Sequence, residues 1–402
     1  MTQVTRRELF PGVWLRTVHT DKFKSSYLSL TMLVPLERER AAANALLFPV
    51  LRRGTREHPD MESLSAALDE LYGGAIEPIV RKKGETQCLG FVASFLDDAF
   101  APGGEPILEP AAGLLGELLL DPVTHGGRFL SSYVESEKAN LIDAIRGLKN
   151  DKRDWADIRL MQEMCAGEPY SVLRLGDEET AGRITNQSLY VHGQALMASS
   201  RVEVIYCGSA EAQRVEDAVL TALAALPRGA QTALPEVQRI QAPDTPRRIV
   251  ETMDVTQGKL AMGFRTGGVT CWEEEYPAMA MCNAVFGGTT LSKLFMNVRE
   301  KLSLCYYASS TLEKMKGLIL VSSGIEFDKF QQARDEILHQ LEEIRQGNME
   351  DWELEGTRRT MIGAHLATLD VQDRQEDFWL GQTAAGLETG IEELVAQLEQ
   401  VT

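Results

Sequence analysis

Histidine is scarce in this sequence and never paired. Among 402 residues there are six, His19, His58, His125, His192, His339 and His365, and no two stand three to five positions apart. No helix can therefore present two imidazoles to one metal ion. The cysteines are equally dispersed. Cys88, Cys165, Cys207, Cys271, Cys282 and Cys305 form no C-x-x-C pair, which excludes thiolate-rich zinc sites and dithiol redox centres and reads as small buried hydrophobes. Also missing are the calcium-loop pattern, the phosphate-binding G-x-x-x-x-G-K-[ST] and the nucleophile elbow G-x-S-x-G. No apolar run reaches the roughly 18 residues of a helical membrane span. The opening Met1–Glu8 leads into no apolar signal core, so a cytoplasmic protein is expected. Basic residues are the minority, 41 Lys and Arg against 59 Asp and Glu. The net charge of −18 sets aside a nucleic-acid partner, which needs clustered cations.

What is present is an ordinary globular mixture, 44% hydrophobic and 25% charged, long enough for two or three domains. The sharpest shift in composition is Pro227–Pro246, with four of the chain's 15 prolines, read as an extended linker. Before it, Val215, Val219, Leu223 and Leu226 mark a helix over Glu211–Leu226; after it, Arg248–Met253 reads as a strand. The division is therefore residues 1–226, a linker 227–246, and residues 247–402. The two parts resemble each other. Leu71-Tyr72, Lys83-Gly84, an apolar run from Cys88 and Asp97-Asp98 in the first are answered by Cys305-Tyr306, Lys316-Gly317, a run from Leu318 and Phe327-Asp328 in the second. The two Lys-Gly pairs lie 233 residues apart. Strand and helix patterns alternate in both. The expected fold class is α+β, two similar domains by tandem duplication, each a mainly antiparallel sheet packed with helices. Near the end, Asn348 is expected to cap a helix whose first turn holds Glu350 and Asp351.

Several strings resemble the insulinase/pitrilysin family of inverted zincins. They are Leu51-Arg52-Arg53-Gly54-Thr55, Gly167-Glu168-Pro169-Tyr170, Phe286-Gly287-Gly288, Leu291–Phe295 and Val298–Tyr307. The likeness covers nearly the whole chain, and the stretch Asn297–Leu312 is most similar to a bacterial branch associated with modification of translation elongation factor P. Peptide-cleaving members carry H-x-x-E-H before a Leu-x-x-Gly-Thr segment, two imidazoles holding zinc and a Glu activating water. Aligned on Gly54-Thr55, those three positions are Ala45, Phe48 and Pro49, and the downstream Glu ligand falls on Ala144. Hydrocarbon side chains offer no lone pair, so the resemblance implies a chain with no metal and no cofactor. Pro49 is also expected to bend or end its helix. His58 or His125 with nearby acids is the weak fallback for a metal.

The resemblance implies what is kept as well. The family's C-terminal half brings an Arg and a Tyr, seven residues apart, to the zinc site; here they are Arg299 and Tyr306, a guanidinium and a phenol able to donate to a developing oxyanion. The plain reading is that Arg299 pairs with Glu300 and the tyrosine packs in the sheet. The family also lays peptide along an edge strand, matched by Ala75, Ile76 and Glu77, where Pro78 fits an edge and could equally block strand addition. The expected function is a non-catalytic, zinc-free subunit of a heteromeric metallopeptidase. It would bind peptide and lend the Arg/Tyr pair to a zinc-bearing relative, or pair with itself. The alternative is a scaffold protein of the same fold with no peptidase role.

Overall fold

A computed structural model describes residues 3–402. In chain order the strands are β1 (Gln3–Phe10), β2 (Val13–His19), β3 (Ser25–Pro35), β4 (Ala75–Lys83), β5 (Thr86–Leu96), β6 (Arg201–Gly208), β7 (Gly258–Arg265), β8 (Cys305–Glu313) and β9 (Leu318–Ile325). The helices are α1 (Arg38–Leu51), α2 (Met61–Glu70), α3 (Leu108–Leu120), α4 (Ser131–Gly147), α5 (Lys152–Met164), α6 (Glu178–Gly182), α7 (Asn186–Ser199), α8 (Ala212–Ala222), α9 (Tyr276–Asn283), α10 (Phe330–Arg345), α11 (Asp351–Thr368), α12 (Gln372–Ala385) and α13 (Ile391–Glu399). They fall into two compact units. One holds the chain through Arg146, Val172–Glu236 and Asp370–Gly386; the other holds Gly147–Ser171, Val237–Leu369 and Leu387–Thr402.

The first unit is built on a six-stranded sheet in the order β1-β2-β6-β3-β5-β4, antiparallel except for the β2–β6 pair. Central β3 is buried on both faces, so its apolar residues divide between two cores. Leu28, Leu30 and Met32 join Phe91, Leu46, Phe48 and the apolar faces of α1 and α3. Leu33 turns the other way, with Val18, Ile205 and Cys207, against Trp379 and Leu380 of α12. That second face also carries charge. Glu203, fully buried, accepts two hydrogen bonds from Arg6 (2.8 and 3.0 Å) and one from the Thr383 hydroxyl (3.1 Å), while Arg16 stacks on Trp379 at 4.3 Å. Burial pushes the Cys88 and Cys207 thiols up to about 12, so they act as packing groups.

The second unit has a three-stranded antiparallel sheet, β7-β9-β8, backed by α10 through Ile337, Ile344 and Ala333. Its order repeats β3-β5-β4 of the first unit, and the two β-hairpins turn at Gly84 and Gly317, both with positive φ (56° and 64°), which only glycine adopts without strain. The duplication is thus visible as topology.

The linear division at 227–246 does not describe the packing. Helix α5 belongs to the second unit and α12 to the first, because each finds an apolar and charged surface there. Around α5, Met161, Met164, Cys165 and Tyr170 pack with Leu318 and Leu320, and a Cβ at Gly263 would collide with Met164 Sδ. Just beyond the helix, Glu168 is buried between Arg265 (2.6 Å) and Lys316 (2.7 Å). Lys316 also donates to the Gln238 carbonyl, and Arg265 donates to that of Met164 (3.0 Å). This ionic lock explains the Gly167–Tyr170 string.

Three local expectations are corrected. Arg248–Met253 forms no ladder, and Ile249 and Val250 are exposed. Helix α1 runs through Pro49 to Leu51. Proline removes only the donor to the Ala45 carbonyl, and the turn is closed by Arg52 N to Phe48 O (3.0 Å) and Arg53 N to Val50 O (3.1 Å). Glu350, not Asn348, begins α11: the Glu353 carboxylate reaches back to Glu350 N (2.9 Å), while Asn348 Nδ2 donates to Glu343.

Replacing Glu168 by Ala leaves the Lys316 ammonium in a dry site without its counter-ion. The expected cost is about 3–5 kcal/mol in urea unfolding. A loss under about 1 kcal/mol contradicts the assignment of this cluster as the lock of α5.

Candidate functional site

Ala45, Phe48 and Pro49, which the family resemblance matches to a zinc motif, lie on α1, and Ala144 lies on α4. Ala45 and Phe48 are 5% and 1% exposed and belong to the main core. The Phe48 ring meets Phe91 edge-on, centroids 4.9 Å apart and planes at 74°. One step away, Asn44 is buried in a polar relay. Its Nδ2 donates to Gln87 Oε1 (2.7 Å), leaving Oδ1 to accept from His192 Nε2 (2.7 Å). Gln87 Nε2 in turn donates to the carbonyls of Ala41 (3.0 Å) and Arg174 (2.7 Å). Helix α1 is thus tied to β5 and α7 by amide hydrogen bonds and packed against β5 by aromatic rings. Ala144 is exposed on α4, and its neighbour Asp143 lies 3.8 Å from Arg146. A methyl, a phenyl, a pyrrolidine and a second methyl do not fit a zinc ion, and no catalytic step is derived through one.

A different trio comes together nearby in sequence. Glu57, His58 and Glu117 place one potential ligand atom each within 4.8 Å of one another. His58 Nε2 is 3.9 Å from Glu117, whose other oxygen accepts from the Thr55 hydroxyl. The backbone of Thr55 and His58 closes the turn after α1 (N to O, 2.7 Å). Its evident work is to fix that turn.

Arg299 and Tyr306 sit on unusual backbone. Arg299 lies in a π-helical stretch, Leu294–Lys301, following another at Ala284–Gly288; such wide turns are rare and concentrate at functional sites. Its guanidinium stacks on Phe295 (4.6 Å), lies 3.4 Å from Glu300 and keeps 41% of its surface. Ser303, with φ +49°, turns the chain and donates its N–H to the Arg299 carbonyl (3.1 Å). A register shift between Cys305 and Tyr307 then leaves Tyr306 63% exposed. The tyrosine that packs on the sheet is Tyr307, stacked under Arg153 at 4.2 Å.

Ala75, Ile76 and Glu77 open β4, an edge strand. Two of its outward carbonyls are already engaged. Arg52 Nε donates to the Ile76 carbonyl and Arg174 to that of Val80 (3.3 Å); Pro78, between them on the same side, has no N–H. Farther along, Arg81 pairs with the deeply buried Glu376, and Lys83 pairs with Asp377 (2.7 Å). No sequence pattern announced Arg52 or Arg174 as edge caps, since each is one arginine placed by the fold.

Two measurements check this geometry. Phe48→Ala should cost about 3–5 kcal/mol in urea unfolding, the range for emptying a buried aromatic site. His192 is held neutral by burial, with Arg40 nearby, and its pKa falls to about 4. A depressed histidine contributes stability that is present above its unfolded value near 6.5 and is lost as pH falls toward the folded one. Wild type should therefore lose about 3 kcal/mol more than His192→Gln between pH 6.5 and 4. Parallel pH profiles would contradict the buried relay.

Comparisons with known proteins identify the family. Residues 183–361 match the family model described as the peptidase M16 inactive domain. A Bacillus subtilis protein described as the probable inactive metalloprotease YmfF is 34% identical over 393 residues, covering 97% of this chain and 91% of its own. A solved structure of a conserved protein from Enterococcus faecalis superposes with a TM-score of 0.87 at 26% identity, covering 99% of this chain and 93% of the other. The M16 inactive domain from Pseudomonas fluorescens shares the fold (TM-score 0.79, 18% identity, 99% and 92% covered). On these matches the chain belongs to the M16 family of insulinase/pitrilysin-like metallopeptidases as an inactive homologue.

Proposed function

We propose that this chain is the complementing, zinc-free subunit of a heteromeric M16 peptidase, lending Arg299 and Tyr306 to the active site of a zinc-bearing relative. The observation that carries the reading is the contrast between the two ends of the chemistry. Ala45 and Phe48, at two of the matched metal positions, are buried hydrocarbon, while Arg299 and Tyr306 stand on distorted backbone and stay partly exposed. Peptide contact is assigned to this pair and to the partner's own edge strand, since Arg52, Pro78 and Arg174 occupy the matching edge here. Among the described residues no helix is long and apolar enough to cross a membrane, and the six unpaired cysteines fit a reducing, cytoplasmic setting.

A scaffold role without peptidase chemistry is the second reading. It is favoured by one observation: Arg299 already has local company in Phe295 and Glu300. Mixing the purified chain with an H-x-x-E-H-bearing relative from the same genome separates the two. Peptide cleavage is expected only in the mixture. Arg299→Ala should reduce kcat by about 10²–10³, the loss typical of removing an oxyanion donor, with Tyr306→Phe in the same direction. Unchanged cleavage in both variants overturns the proposal and leaves the scaffold.

A further inference from the structure

We infer that Arg153 of α5 is a positioning residue for Tyr306: it clamps the neighbouring Tyr307 to one face of the second unit's sheet and so fixes the bulge that points the Tyr306 phenol outward. The inference rests on the role proposed above for Tyr306 and adds the device that aims it.

The argument starts from a break in alternation along β8. Residues two apart on a regular strand share a face. Cys305 belongs to the apolar core that α10 backs, with Ala333 and Ile337, whereas Tyr307 lies on the other side, under α5. One residue separates them, yet they face opposite ways. In the ladder Cys305 stands opposite Ile325 and Tyr307 opposite Gly324, so Tyr306 is the extra residue of a bulge. Its direction is set by its two neighbours, each anchored in a different layer.

The Cys305 anchor is burial in the core. The Tyr307 anchor is built from several parts. A Cβ at Gly324 would meet the Tyr307 ring at 2.5 Å, so glycine there gives the ring its seat. Ser323 Oγ donates to the Tyr307 carbonyl (2.9 Å). The Arg153 guanidinium covers the ring at 4.2 Å and donates to the Ser309 hydroxyl, two residues along the same strand (3.1 Å).

The place of Arg153 in α5 points to this task. It sits in the first turn, where the helix dipole disfavours a cation. Two carboxylates offset that cost. Asp151 caps the helix by accepting from the N–H groups of Arg153 (2.8 Å) and Asp154 (3.1 Å), and Asp157 lies one turn on. Burial raises the Asp157 carboxyl, and the Arg153 charge opposes the rise. The Asp157 carboxyl and the Tyr307 hydroxyl share the Ser322 hydroxyl as a neighbour, so the polar groups of this face gather around one guanidinium. Arg153 itself is exposed, and replacing it removes the clamp without opening the core.

Residue-resolved hydrogen exchange on the full chain tests this, because a side chain that only covered Tyr307 would leave the ladder unchanged on removal. Arg153→Ala should speed exchange about tenfold at residues 305–308 and 324–325, and leave residues 311–313, farther along the same strand, unchanged. Arg153→Lys keeps a cation over the ring and should restore most of the protection. Gly324→Ala, which drives a methyl into the ring, should reproduce the acceleration with Arg153 in place. In the mixture with the zinc-bearing relative, Arg153→Ala should lower kcat about tenfold at unchanged KM, a loss of aim and not of binding. Unaltered exchange in both alanine variants overturns the inference, whatever the cleavage shows. So does a kcat that Tyr306→Phe lowers and Arg153→Ala does not. Faster exchange with cleavage that responds to neither Arg153→Ala nor Tyr306→Phe upholds the clamp and overturns the peptidase role of Tyr306 instead.

Discussion

The rest of the molecule depends on how α1 is held. In a zinc peptidase this helix offers ligands to a cation, and the cation helps fix the helix. Here the same surface is turned into core. Phe48 presses edge-on against Phe91, Ala45 gives the space, and the Asn44–Gln87–His192 relay satisfies the buried polar groups beside them. Buried amides and imidazoles are stable only when every donor finds an acceptor, and this chain of contacts supplies them. The consequence is that α1 meets its neighbours through packed hydrocarbon and paired amides.

The duplicated architecture shows a similar economy. Each unit takes a helix that belongs, in sequence, to the other half, and each guest helix is secured by buried charge as well as apolar area. Glu168 between Arg265 and Lys316 secures α5; Glu376 with Arg81, and Trp379 under Arg16, secure α12. Breaking a buried pair leaves an uncompensated charge, so such locks specify one partner surface among several apolar ones. The distorted backbone is concentrated elsewhere, in the two π-helical stretches, the left-handed Ser303 and the bulge at Tyr306.

Much of this was legible in the sequence. The strands at β3, β5, β6 and β9 read as apolar runs, and the repeat was visible through its paired Lys-Gly turns. What sequence could not give is whatever depends on tertiary partners. Arg248–Met253 has the composition of a strand and lacks a neighbour to pair with. Pro49 looked like a helix stop, but the last turn is closed by residues beyond it. The capping of β4 by Arg52 and Arg174 joins residues 122 positions apart, and the exchange of α5 and α12 joins surfaces no local periodicity connects. Which of Tyr306 and Tyr307 faces outward was set by a one-residue register shift, below the resolution of any pattern.

The central claim is that α1 is a core helix and not a metal-bearing one. Metal analysis of the purified chain, after dialysis against zinc and then against buffer, tests it most directly. Well under one equivalent of zinc is expected, unchanged by Phe48→Leu. One tightly held equivalent that is lost when α1 is altered would contradict it.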